Sequence, residues 1–253
     1  MTWARITGPL RAIRRNRRSV NTTLRIAKVT KDIQMTRDQA QGTAQASHRP
    51  NAQTGRFITF EGIDGAGKST HLAGYVQALK DRGHTVHLTR EPGGTPLAEA
   101  IRGWVLEQPM SMQVEALLVF AARQDHLDTV IRPALARGEW VVCDRFTDST
   151  VAYQGGGRGM PARHIEQLEA WVHADLQPDR TYLFDLPAAL AAQRRGAVRA
   201  ADRFEALDEA FFERVRHAYL ARAKQATERF RLIDATRTLP EIKKSLEEDI
   251  ATL

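Results

Sequence analysis

The chain has a single cysteine in 253 residues, Cys143. That excludes an intrachain disulfide and any thiolate cluster around zinc. The sulfur sits in Trp140-Val141-Val142-Cys143-Asp144, which reads as a buried strand. A small core hydrophobe is therefore expected there, not a reactive thiol. Nothing approaches the roughly 18-residue apolar run that a membrane span needs. Acidic residues are scarce in one region only. Residues 1–50 hold two Asp/Glu against 11 Arg/Lys, whereas residues 51–253 hold 28 against 26. The formal net charge of +7 thus belongs to the N-terminal segment, and the rest is near neutral. A nucleic-acid protein carries its basic footprint on the fold itself, so no nucleic-acid role is expected of the remainder.

That N-terminal segment runs from Arg14-Arg15-Asn16-Arg17-Arg18 into Gln/Thr/Ala-rich sequence and on to Gly55. It lacks the periodic apolar residues that packing requires, so residues 1–54 are expected to be a disordered extension of a domain spanning 55–253. Three readings stay open: an upstream extension with translation starting later (Met35 is one candidate), an Arg-rich and acid-poor targeting peptide, or an arm for nucleic acid or acidic lipid. No apolar stretch follows the basic run, which argues against a secretory signal.

From residue 55 the pattern predicts strands at 57–60, 86–89, 141–143, 182–184 and 230–233. Helices are expected at 70–79, 111–136 (with Pro133 a kink), 161–175, 187–195, 205–225 and 239–249. Strands alternating with helices predict an α/β fold with a five-stranded parallel sheet covered on both faces. In such sheets ligands gather beyond the carboxyl ends of the strands, and there the sequence becomes unusual.

After the first strand, Gly62-Ile63-Asp64-Gly65-Ala66-Gly67-Lys68-Ser69 matches GxxxxGK[ST] between a strand and a helix. The backbone from Gly62 through Gly65, Ala66 and Gly67 to Thr70 would cradle phosphates. Lys68 would reach the β/γ-phosphates, and Ser69 would ligate Mg²⁺. Asp64 is extra to this chemistry, and it suits an outward-facing acceptor for a hydroxyl of a second ligand. After the second strand comes Arg90-Glu91-Pro92-Gly93-Gly94-Thr95, with Arg102 further on. After the third comes Asp144-Arg145-Phe146. Asp144 fits a carboxylate acting through water on Mg²⁺, and Arg145 fits a bidentate phosphate ligand. The stretch Ser149-Thr150-Val151-Ala152-Tyr153-Gln154-Gly155-Gly156-Gly157-Arg158-Gly159 suits a wall where a ring stacks or an amide reads a base edge. Four arginines crowd residues 193–205, readable as a solvated charge run or as a mobile lid over a transferring phosphoryl group.

Together EGIDGAGKST, REPGGT, DRF and AYQGGGRG resemble the bacterial thymidylate kinases, over roughly residues 56–250. The resemblance implies a P-loop kinase fold, ATP and Mg²⁺, a homodimer, a cytoplasmic location, and phosphorylation of dTMP for the dTTP pathway. It implies that Asp64 meets the sugar 3′-hydroxyl, and that Arg90, Glu91 and Arg102 lie around the acceptor phosphate and its magnesium. Phe120 would stack on thymine and Arg123 would bond to the base. Arg145 would be catalytic, and Ser149 or Thr150, with Tyr153 and Gln154, would close the pocket. The resemblance also supports the lid, with Arg195 and Arg199 as its catalytic cations and Arg194 a third candidate. Asp234-Ala235-Thr236 would pass near the adenine. The rivals are another nucleotide acceptor on the same fold, or a nucleotide-dependent switch. A switch would need a guanine-reading NKxD, which the chain lacks.

Overall fold

In the computed structural model, residues 55–195 and 208–253 are described. The N-terminal extension and most of the arginine-rich segment, Arg199 and Arg203 included, lie outside the described residues. Five strands form one sheet: β1 (Phe57–Glu61), β2 (Val86–Arg90), β3 (Trp140–Asp144), β4 (Arg180–Asp185) and β5 (Phe230–Asp234). Their order is β2-β3-β1-β4-β5, and every neighbouring pair is parallel. β1 is central and buried along its whole length, which is why it reads as almost continuously apolar. Its one small polar residue, Thr59, bonds hydroxyl to hydroxyl with Thr181 of β4 at 2.8 Å. Cys143 is free and buried in β3, as its setting predicts.

The helices are α1 (Lys68–Asp81), α2 (Pro96–Glu107), α3 (Met112–His126), α4 (Arg132–Ala136), α5 (Thr147–Thr150), α6 (Ala162–His173), α7 (Ala188–Arg195), α8 (Glu209–Gln225) and α9 (Leu239–Ile250). Several begin where short polar side chains bond free N–H groups. Thr95 accepts from Ala98 at 2.9 Å and Asp208 from Phe211 at 2.7 Å. Thr238 and Glu241 form a capping box on α9. α1 starts differently. Its cap is Gly67 in the left-handed region at φ 90°, with no side-chain bond to the first N–H groups. They stay available to an anion, and the helix dipole favours one there.

Two sequence expectations change here. Residues 111–136 are not one α-helix, because the backbone widens into a π-turn at Leu127–Ile131 before α4 resumes. Pro133 sits just after it and cannot donate to the turn behind. The predicted wall at 149–159 is itself helical: α5 passes into a second π-turn, Val151–Gly157. Its glycines serve close packing. A Cβ on Gly157 would fall 2.5 Å from the Phe211 ring of α8.

Charge ties the same region to the sheet. Asp148 of α5 is fully buried and accepts from Arg229 at 2.7 and 2.8 Å and from Arg222 at 3.0 Å. Burial pushes its carboxyl up, but the two guanidiniums outweigh it and hold it below the ordinary range. Removing one member of a buried ion set strands the others. Asp148→Ala should therefore lower stability by about 3–5 kcal/mol, read from urea unfolding. Arg222→Ala should cost less, since Arg222 is partly exposed. Equal losses would mean that the buried charge is not what holds α5.

Candidate active site

The turn after β1 carries the glycine loop into α1. Lys68 reaches back inside it, donating from Nζ to the carbonyls of Gly62 at 2.8 Å and Ile63 at 3.2 Å. Burial and the neighbouring Arg145 push its ammonium down to about 8, against the pull of Asp144, Asp64 and Glu61. Ser69 and Thr70 are exposed on the first turn of α1. Arg194, at the end of α7, donates to the Ala235 carbonyl at 3.2 Å, and its Nη1 lies 3.9 Å from where a Cβ on Gly67 would stand. One arginine thus spans the glycine loop and the turn after β5. The Arg195 side chain and Arg199 lie outside the described residues.

Arg145 joins this loop to what lies beside it. It is the one non-glycine among the described residues with positive φ, at 74°, a conformation that persists only when its surroundings hold it. Nη1 donates to the Gly62 carbonyl at 2.9 Å, the Tyr219 hydroxyl at 3.1 Å and the Ser149 hydroxyl at 3.2 Å. Nη2 donates to Asp64 at 2.5 Å and to the Tyr153 hydroxyl at 3.3 Å. Asp64 also accepts from Tyr153 at 2.9 Å. Burial would raise its carboxyl, but Arg145 and Lys68 hold it well below the ordinary range.

A cavity opens on the far side of Arg145. Its wall gathers Asp64, Glu91, Arg102, Arg123, Arg145, Ser149, Thr150, Tyr153 and Gln154, with Val119 and Phe146. Arg102 is anchored on the Pro92 carbonyl at 2.9 Å. Its guanidinium is held below its usual range by burial and by the like charges of Arg90 and Arg145. Deeper in, Arg123 is 1% exposed, with Nε on Glu91 at 2.7 Å and Nη2 on the Thr150 hydroxyl at 3.1 Å. Its Nη1 is buried with no hydrogen-bond acceptor.

A phosphate-binding loop beside a cationic, partly apolar cavity is what a nucleotide kinase requires, and comparison with known proteins gives the family. A family model for thymidylate kinase matches residues 60–246. Thymidylate kinase of Burkholderia cenocepacia is 56% identical over 204 residues, covering 79% of this chain and 99% of that one. Thymidylate kinase of Bordetella pertussis is 56% identical over 199 residues, covering 79% and 96%. Among solved structures, the thymidylate kinase of Ehrlichia chaffeensis superimposes with a TM-score of 0.62 at 34% identity, covering 78% of this chain and 98% of that one. The chain belongs to the thymidylate kinase family. It is an enzyme that phosphorylates dTMP to dTDP with ATP as donor.

Three expectations for this kinase need correction. Phe120 is not on the cavity wall. It is packed with Ala116, Met160 and Ile165, and Val119 faces the cavity in its place. On a helix the residue that shares the face of Arg123 most closely is four positions back, not three. Phe120 instead lies under the Arg123 guanidinium, 4.7 Å from ring centroid to Cζ. Arg90 ends the edge strand on the other side of Asp144, paired with Glu99 at 2.9 Å and more than half exposed, and it lines a separate hollow. Glu91 reaches the cavity, but both its oxygens are taken, by Arg123 at 2.7 Å and His126 at 3.1 Å. In this arrangement it braces Arg123.

Sequence reasoning missed Glu61. It ends β1, is fully buried, and accepts from the Phe146 N–H at 2.7 Å, Ser149 at 2.6 Å and Tyr219 at 2.9 Å. All three flank or contact Arg145. A carboxylate at the end of an otherwise apolar strand was the available signal. Burial, then Asp148, raises its carboxyl from 4.5 to about 7, despite Ser149, Arg145 and the Phe146 N–H. The folded pKa is raised, so this contribution is fully present below about 4.5 and lost as pH rises through about 7. Relative to Glu61→Gln, wild type should lose stability across that window, measured by denaturant midpoints below and above it. A constant difference would place the proton elsewhere.

Proposed function

We propose that the phosphoryl group passes from ATP on the glycine loop to dTMP in the adjoining cavity, directly and in line, with Arg145 at the boundary. The observation that carries this is the position of Arg145. One nitrogen is bonded to the donor loop at Gly62 and the other to Asp64, and the side chain also lines the cavity. The donor phosphates would take the N–H groups of the loop from Gly62 through Gly65, Ala66 and Gly67 to Ser69 and Thr70. Lys68 would exchange its two carbonyls for phosphate oxygens. Arg102 and Arg145 would hold the acceptor phosphate, and Asp64 would accept from the sugar 3′-hydroxyl. The acceptor is already an anion, so no general base is needed. The chain's contribution is alignment and cancellation of charge. Arg194 adds a cation beside the donor loop, and Arg195 and Arg199 would extend that cover.

The residues fit Mg²⁺. Asp144 Oδ1 is buried with no hydrogen-bond partner, close enough to Lys68, Arg102 and Arg145 to influence all three. With the Ser69 hydroxyl it would hold the ion, which supplies charge neutralisation on the donor phosphates.

The cavity's free groups favour a 4-oxo pyrimidine. Arg123 Nη1 offers a donor. Gln154 directs Nε2 to Glu115 at 2.7 Å, which leaves its carbonyl oxygen as an acceptor. Thymine presents the complement, an acceptor at O4 beside a donor at N3. Cytosine presents the reverse. With MgATP and the full chain, ADP release should be strong with dTMP, weaker or comparable with dUMP, and near background with dCMP, dGMP or no acceptor. EDTA should abolish it. Equal release with and without acceptor would overturn the reading.

We further propose a cytoplasmic homodimer whose domain begins near residue 55, with the basic extension outside it. Leu97 and Trp104 on α2 and Val114 and Leu117 on α3 are 46–55% exposed on two packed helices. Large apolar side chains left exposed on these two helices support that reading. Trp104→Glu should shift the mass measured by light scattering from dimer to monomer. Among the described residues, no helix is long and apolar enough to cross a membrane.

A further inference from the structure

We propose that Glu115 sets the base selectivity of this kinase by fixing which end of the Gln154 amide faces the acceptor cavity. This rests on the reading of that cavity as the dTMP site. Gln154 is the base-edge group whose polarity is ambiguous. An amide presents a carbonyl on one side and an NH₂ on the other, and rotation by half a turn exchanges them at almost no steric cost. Left free, such a side chain would accept from thymine in one orientation and donate to cytosine in the other. It would then discriminate against neither.

Glu115 removes that freedom. It lies in the first turn of α3 and is fully buried. Its Oε1 stands 2.7 Å from Gln154 Nε2 and 3.0 Å from Nε of Arg158 in an ion pair. A carboxylate paired with arginine can only accept. The NH₂ end of Gln154 must therefore face Glu115, and turning the amide over would set two acceptor oxygens against each other in a buried site. Gln154 is itself 4% exposed, so solvent would do little to relieve that clash. The carbonyl is left as the end available to the cavity that Gln154 lines. Arg123 is locked from its own other side by Glu91 and Thr150. The donor and the acceptor offered to the base are thus each fixed by a group behind them. Glu115 is a positioning residue, since it lies outside the residues that line the cavity.

The test compares kcat/KM for dTMP, dUMP and dCMP in the full-length wild type, Glu115→Gln and Glu115→Asp, with MgATP as donor. A glutamine at 115 can donate as well as accept, so it permits both orientations of Gln154 and keeps the volume. Glu115→Gln should lower the dTMP-to-dCMP ratio of kcat/KM at least about tenfold, the dTMP value falling and the dCMP value holding or rising. The dUMP value should follow dTMP, since the two share the same edge. Glu115→Asp keeps an acceptor-only group and should retain most of the ratio. Equal falls for dTMP and dCMP in Glu115→Gln, or an unchanged ratio, would overturn the proposal and leave Glu115 a structural anchor. If Glu115→Gln does not fold, Glu115→Asp against Glu115→Asn makes the same comparison, with the ratio kept by the first and lost by the second. Failure of the wild type to turn over dTMP would overturn the acceptor-site reading itself, a result distinct from an unaltered ratio in a working enzyme.

Discussion

The arrangement depends on Arg145 being held in a backbone conformation that a non-glycine residue adopts only under constraint, at φ 74°. Such a residue costs about 1–3 kcal/mol, and the site recovers this through the neighbours that fix it. Phe146, next along the chain, donates its N–H to Glu61. Ser149, one turn on, donates to the same carboxylate. Tyr219 arrives from α8 and bonds to both Ser149 and Glu61. With its backbone turned this way, Arg145 can touch the donor loop, Asp64 and the cavity from one position. A residue in the ordinary helical or extended region, starting from the tip of β3, would aim elsewhere.

The same constraint explains why the acceptor side is built from buried polar groups in chains. Glu91 holds Arg123 and is itself held by His126, whose other nitrogen meets Thr89 at 2.7 Å. Burial pushes the Glu91 carboxyl up, and Arg123 and His126 bring it below the ordinary range, so it stays an acceptor. Each group that would face a ligand is backed by one that does not. Buried networks of this kind are costly when half-satisfied and specific when complete. The unfilled position at Arg123 Nη1 is therefore informative. In a network otherwise so fully paired, an orphan donor marks where the ligand completes the set.

Much of this was legible in the sequence, for a physical reason. Strands, the glycine loop and the charged residues just after each strand are set by local chemistry: apolar runs, turn-forming glycines, and side chains at strand tips where a parallel sheet leaves space. Asp64, Arg102, Arg123, Arg145, Tyr153 and Gln154 reach one cavity because each follows such a signal or shares a helix face with one. The errors arose where facing is decided by packing. Phe120 and Val119 are neighbours, and only the position of the surrounding core, Met160 and Ile165 on one side and the cavity on the other, tells which turns inward. Arg90 was misplaced because Glu99, nine residues on, captures it. The glycines of the π-turn suit a ligand wall in the sequence, and at Gly156 and Gly157 it is α8 that packs against them.

Glu61 and Glu115 are hard to single out for a different reason, since neither lines the cavity. Their effect lies in what they forbid: Glu61 the relaxation of the turn around Arg145, and Glu115 the rotation of Gln154. A sequence motif records residues that touch a ligand together with residues that hold them, without distinguishing the two. The distinction comes from counting lone pairs and protons. A buried carboxylate accepts only, so every donor near it is fixed in direction, and the direction passes to the opposite end of the donor. In this kinase that inheritance runs from Glu115 through Gln154 to the base. The donor site needs no such backing. Its loop N–H groups are fixed by the main chain, and it meets phosphate, which every nucleotide donor carries alike. Selectivity is therefore concentrated on the acceptor side, where polar side chains that could turn either way are held to one orientation.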